Sequence, residues 1–227
     1  MGRDMSGLLA LNWNLFEDLN LHASKASALG KIMILGANDA IVVLPLLLLA
    51  LWFALAKWSP LAKADTAGGM GSARAIAQQL ALLACLAVVV SLVVNQVAAR
   101  VLPEQRPFIT HPSQTHLLIA HAADKSFPSD HESVASAIAI MLIVVAVWLR
   151  AASARLRQLA LLLALVGVIC ALYIGVSRIY VGVHYPGDIL GGIGCGAIGA
   201  AVASGARRFT APVLNPIVRL AERLKLA

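Results

Sequence analysis

Apolar residues run in long blocks along this chain, and polar residues gather at the ends of the blocks. Five blocks, at about residues 32–56, 76–98, 131–149, 158–177 and 188–206, match the roughly 20 residues that a helix needs to cross a bilayer. The pattern predicts an all-α integral membrane protein of about five transmembrane helices. Two flanking stretches, Leu8 to Leu21 and Pro212 to Leu226, mix apolar and charged residues at helical spacing instead. They predict amphipathic helices lying along the membrane interface.

Composition agrees with this reading. The 227 residues are 60% hydrophobic and 13% charged, with a mean hydropathy of +0.84, which excludes a soluble domain of this size. Residues 1–30 lack the short apolar core and small-residue cleavage site of a signal peptide. No repeat or long linker divides the chain, so one membrane-embedded domain over residues 1–227 is expected. Gly68-Gly69-Met70-Gly71 predicts a turn between the first two spans. Gly191, Gly192, Gly194, Gly196 and Gly199 predict close packing of the last span. Cys85, Cys170 and Cys195 all fall inside apolar blocks, where small buried hydrophobes are the expected role and no disulfide framework is readable.

Charge then sets the orientation. Eleven basic residues would share one side if the loops 57–75 and 150–157 and the C-terminal stretch lie together. That side is predicted to be cytoplasmic. The N-terminus and the loops 99–130 and 178–187 then face outward, and the net charge of +7 reflects membrane anchoring, not nucleic-acid binding.

The outward loops carry the chemistry. Ser177 to Asp188 reads Ser-Arg-Ile-Tyr-Val-Gly-Val-His-Tyr-Pro-Gly-Asp, which spaces an arginine, a histidine and a carboxylate at the end of an apolar block. An arginine fork holds phosphoryl oxygens, a neutral imidazole attacks phosphorus, and a carboxylate on the other ring nitrogen fixes the tautomer. Two further clusters share that side: Arg100 to Phe108, with Arg106-Pro107, and Ser126-Phe127-Pro128-Ser129-Asp130-His131. Ser129 is expected to cap the third span, whose first amides point at an anion, with His131 placed to protonate a leaving oxygen. His111, His116 and His121 recur at a spacing of five with no interleaved carboxylate, so a solvated loop is expected there and not a metal site.

Together the three clusters resemble the signature motifs of the type 2 phosphatidic acid phosphatase superfamily of membrane lipid phosphatases. The third motif, Ser-Arg, five residues, His, three residues, Asp, is matched by Ser177, Arg178, His184 and Asp188. The second, usually Pro-Ser-Gly-His, has Asp130 in place of glycine. This variant, with the Asn14-Leu15-Phe16 stretch, is similar to the bacterial undecaprenyl pyrophosphate phosphatases associated with bacitracin resistance. The first motif departs from the family pattern of Lys, six residues, Arg-Pro. Ala99 stands in the lysine position and Arg100 follows one residue late, either replacing the lysine or anchoring the span at the headgroups.

The resemblance implies a haloperoxidase-like helical core and hydrolysis of a polyprenyl diphosphate, with membrane lipids as surroundings and neither cofactor nor metal. It further implies a bacterial cytoplasmic membrane with the site facing outward. His184 would form a phosphohistidine oriented by Asp188, and His131 would serve the leaving group. Arg106, Arg178, Ser129 and the amides near Asp130 would bind the phosphate oxygens. Phosphatidylglycerophosphate, phosphatidate or lipid A phosphatase activity is the alternative within enzymes, and a small transporter is the alternative outside them. Asp130 either caps its helix or selects among substrates. Asp39, a carboxylate within the first span, is expected to orient an arginine of the site or to pair structurally with Lys31.

Overall fold

The computed structural model describes residues 2–58, 73–149 and 154–224; the expected turn at residues 68–71 lies outside them. Regular structure among the described residues is helical. It comprises α1 (Gly2–Asn20), α2 (Ala28–Asn38), α3 (Val43–Trp58), α4 (Ala73–Val101), α5 (Pro107–Thr110), α6 (Asp130–Trp148), α7 (Ala154–Tyr180), α8 (Pro186–Gly205) and α9 (Arg207–Arg223). Segments of α4, α6, α7 and α8 are each long and apolar enough to cross a membrane. The chain is a multi-pass membrane protein.

The first expected span is not one straight helix. α2 and α3 meet at a bend of 48°, across a 3-10 turn at Ala40–Val42. Pro45 explains the position of the break. Its ring would clash with a helical carbonyl four residues back, at Ile41, so a regular helix cannot run through that point. Asn38 and Asp39 stand just before it, where short polar side chains compete with helical hydrogen bonds.

α6 lies at the centre, packed against α4, α7 and α8. Its buried Ala135, Ala137, Ile138, Met141, Leu142 and Val145 form the middle of the main apolar cluster. Small residues let the neighbours approach closely. A Cβ on Gly199 of α8 would stand 2.3 Å from the Ala87 carbonyl oxygen of α4, whereas one on Gly194 would meet nothing within 4 Å.

The two flanking helices differ. α9 exposes Phe209, Val213, Ile217 and Leu220, spaced as one apolar stripe suited to lipid, and Arg207 lies 4.2 Å over the Trp148 ring. α1 exposes Leu8, Leu11, Leu15 and Leu19, yet its Phe16 is fully buried. The Phe16 ring packs edge-on to Tyr185 at 5.5 Å. Asn20 Nδ2 donates to the carbonyls of His116 at 3.0 Å and Tyr180 at 2.8 Å. This helix is therefore docked at the end of the bundle that carries the α7–α8 loop, as well as amphipathic.

Replacing Gly199 with leucine should cost at least about 1–3 kcal/mol of stability through overpacking, while Gly194→Leu should be close to neutral. Thermal unfolding of both variants in one detergent checks this; equal melting temperatures would contradict the α4–α8 packing.

Candidate active site

The α7–α8 connection is a short loop that demands glycine at Gly182, where φ is +86° and a Cβ would press to 2.8 Å from the His116 carbonyl oxygen. Two residues on, the buried His184 is held on both ring nitrogens. Nδ1 lies 3.2 Å from Asp188 Oδ2. Nε2 faces Arg106 Nη1 at 3.2 Å and Arg178 Nη2 at 3.4 Å. Guanidinium nitrogens only donate, so Nε2 presents its lone pair and the ring hydrogen sits on Nδ1, toward the carboxylate. Burial, and then the two guanidiniums, push the His184 pKa well below the ordinary imidazole value. The ring is a neutral base with its free nitrogen aimed at the cationic centre.

Asp188 is fixed by the start of α8. Pro186 opens that helix without needing a backbone partner. The Asp188 side chain reaches back so that Oδ2 accepts from the Tyr185 N–H at 2.8 Å and from the Ser126 hydroxyl. Ser126 is itself tied to the first cluster, its N–H donating to the Glu104 carbonyl at 2.8 Å.

The two arginines arrive from different elements. Arg106, just before α5, donates from Nε to Asp124 Oδ1 at 2.7 Å and from Nη1 to the Val183 carbonyl at 2.9 Å. Arg178, in the last turn of α7, donates from Nη1 to the Ala37 carbonyl at the end of α2 at 3.3 Å. Its Nη2 faces His121 Nε2 at 2.9 Å.

Ser129 takes the N-cap position of α6, but its side chain makes no capping bond. Its hydroxyl oxygen and Arg178 Nε are buried without a hydrogen-bond partner. Two donors are thus left over beside the amides of a helix N-terminus, which suits an anion. α4 holds this turn in place. Asn95 Nδ2 donates to the Pro128 carbonyl at 3.2 Å and to Ser133 Oγ at 2.8 Å, and Ser91 donates to the Ser133 carbonyl at 3.0 Å.

Of the residues expected from sequence, His184, Asp188, Arg106, Arg178 and Ser129 converge here. His131 and Asp130, in the first turn of α6, lie within Coulombic reach of both arginines. Three others lie outside. Arg100 is exposed in the last turn of α4, where helix geometry carries it away from the cluster, as an anchor would be. Asp39 is exposed at the α2–α3 bend, its backbone N–H bonded to Leu35 O, because the break turns the side chain outward and leaves a main-chain oxygen, Ala37 O, to meet Arg178. Ser177 is buried with its hydroxyl 3.4 Å from Met33 Sδ, between α7 and α2 and away from the arginines.

The histidines of the connection before α6 also separate. His111 stacks on Trp13 with ring centroids 4.0 Å apart, His116 is exposed, and His121 belongs to the site although a solvated loop was expected. Among the described residues no group of three or more His, Cys, Asp or Glu side chains is arranged to hold a metal ion. Sequence reasoning also missed Asp124, which lies just before the second cluster, gave no role to Ser126 within that cluster, and missed Asn95, a polar residue inside an apolar block that was a readable signal. Glu104 sits half-buried within electrostatic reach of Asp188. Burial, and secondarily the nearby Asp188, raises its pKa to about 7.

A family model described as PAP2 superfamily matches residues 80–210, from α4 into α9. YbjG of Escherichia coli (strain K12) is 34% identical over 189 residues, 83% of this chain and 79% of that protein. The undecaprenyl-diphosphatase BcrC of Bacillus subtilis (strain 168) is 32% identical over 183 residues, 81% of this chain and 77% of its own. The solved structure of a transmembrane PAP2-type phosphatidylglycerolphosphate phosphatase from Bacillus subtilis has a TM-score of 0.57 at 20% identity, over 88% of this chain and 85% of that one. At that identity the likeness is one of fold.

Two outcomes follow from the geometry. The raised pKa of Glu104 means that the folded state holds its proton more tightly than the unfolded chain, so its contribution to stability is complete below about pH 4.5 and is lost as pH rises through about 7. Glu104→Gln should therefore melt increasingly above the unaltered protein as pH goes from about 5 to 8, which paired thermal scans would measure. Asp39→Asn should leave turnover and substrate affinity within about twofold, since surface changes remote from a site have small effects. A larger kinetic loss would place Asp39 in the machinery after all.

Proposed function

The chain belongs to the PAP2 superfamily, and we propose that it hydrolyses undecaprenyl diphosphate to undecaprenyl phosphate and inorganic phosphate. One membrane-embedded domain over residues 1–227 carries the reaction, in the bacterial cytoplasmic membrane with the site on the outer face, recycling a lipid carrier of cell-wall synthesis. The observation that carries this reading is the meeting of two buried guanidiniums at the free nitrogen of a buried, carboxylate-oriented imidazole. The relative named undecaprenyl-diphosphatase, alike over most of both chains, supplies the substrate.

In this mechanism the terminal phosphoryl group sits against Arg106, Arg178, the Ser129 hydroxyl and the first amides of α6. His184 Nε2 attacks phosphorus, the bridging P–O bond breaks, and undecaprenyl phosphate departs. His131 supplies a proton to the leaving oxygen. Positive charge on the His184 ring is balanced by Asp188 through Nδ1–H. Water, deprotonated by His131, then attacks the phosphohistidine and releases inorganic phosphate, returning both histidines to their starting states. Charge developing on the equatorial oxygens meets fixed donors that need no rearrangement.

Because two arginines and a helix terminus supply that stabilisation, hydrolysis should persist in a chelator, and vanadate should inhibit by occupying the five-coordinate position. Activity lost in chelator and restored only by magnesium would overturn the mechanism. His184→Ala should lower turnover by at least about 10⁴-fold, whereas Asp188→Asn should keep a weak residual rate. Acid-labile label trapped from terminally labelled substrate in the native protein, and missing in His184→Ala, would identify the phosphohistidine.

A further inference from the structure

His121 stands outside every motif that the sequence presented, yet it makes the shorter of the two imidazole contacts to Arg178 Nη2, at 2.9 Å against 3.4 Å for His184. Its Nδ1 lies 3.2 Å from the Ala122 carbonyl oxygen, which places the ring hydrogen there and leaves Nε2 to accept from the guanidinium. The His121 and His184 rings are 6.4 Å apart, edge to face. One guanidinium nitrogen therefore serves two imidazoles.

The two rings sit at different depths. The His184 and Asp188 side chains are 2% and 0% exposed, while those of His121 and Asp124 are 19% and 62% exposed. The nucleophile forms the floor and His121 the mouth. A substrate whose terminal phosphorus reaches His184 carries its next phosphate, in the direction of the lipid, at the height of His121. We propose that His121 determines specificity: it contacts the second phosphate of a diphosphate and so favours diphosphates over monophosphates. This rests on the function proposed above.

Phosphate oxygens that take the Arg178 donors release His121 Nε2, which then gains a proton in the field of the anion and donates from the same position. Every charged group facing the ring bears on this step. Arg106 and Arg178 oppose protonation, as do the neighbouring His131 and His184 if either is charged, while Asp124 Oδ1, 3.8 Å from Nδ1, and Asp130 favour it. Burial holds the His121 pKa down against the Ala122 hydrogen bond, in keeping with Nε2 accepting from Arg178. A monophosphate offers only a lipid oxygen at that height, with no charge to meet.

The test uses the full-length protein in detergent, with farnesyl diphosphate as reporter substrate. Inhibition constants are measured for a prenyl methylenediphosphonate and for the matching prenyl monophosphonate. His121→Ala should weaken the diphosphonate about tenfold, the scale of one charged hydrogen bond, and the monophosphonate less than about twofold. His121→Gln, whose amide can donate from a similar position, should recover part of the difference. Equal weakening of both inhibitors would make His121 only a brace for Arg178, and no weakening would remove it from the site; either result overturns the inference. An unaltered protein unable to hydrolyse the diphosphate would overturn the proposed function and this inference with it, whereas hydrolysis with an unchanged inhibitor ratio sinks the inference alone.

Discussion

Two guanidiniums converge on one imidazole nitrogen, and much of this architecture is arranged around that contact. Arg106 and Arg178 are both buried and repel each other, so each needs compensation that leaves its phosphate-facing donors free. The structure supplies it sparingly. Main-chain oxygens of Val183 and Ala37 take one nitrogen from each arginine, and Arg106 also pairs with the largely exposed Asp124. What results is a cationic pocket that an anion completes.

Each of those compensating groups belongs to a different part of the chain. Ala37 comes from the end of α2, Val183 from the α7–α8 loop and Asp124 from the long connection before α6. The bend between α2 and α3 thus has a use beyond accommodating Pro45, since it ends α2 level with Arg178 and turns a carbonyl toward it. α1, docked through Asn20 and Phe16, braces the same loop from outside. The 111–128 connection adds His121 and Asp124 beside the arginines, at shallower depth than His184 and Asp188.

The bilayer constrains the rest. Helices satisfy their own backbone groups in hydrocarbon, so a helical core followed almost necessarily from the apolar blocks. Asn95 and Ser91 of α4 enter that core and are lashed across helices to the first turn of α6. Those bonds fix the turn that presents Ser129, and glycine contacts such as Gly199 against Ala87 bring α8 close to α4, while the first turn of α8 itself sets Asp188 against His184.

Local pattern was enough to read the spans and to single out His131, Arg178, His184 and Asp188, which the structure brings to one end of the bundle, because hydropathy, helix capping and short spacings are properties of contiguous residues. It was enough, too, to find Arg106 and Ser129. Pattern misjudged residues whose role depends on the direction of a side chain. Asp39 carried a charge in an apolar block, yet the bend turns it outward; His121 looked like one of three loop histidines, yet the connection folds it onto an arginine 57 positions away. Such pairings join segments distant in sequence through turns and packing, and no local periodicity encodes them. The sequence by itself determined a helical membrane protein and most of its reactive groups; the tertiary structure decided which of those groups share a charge, which face solvent, and how deep each one stands.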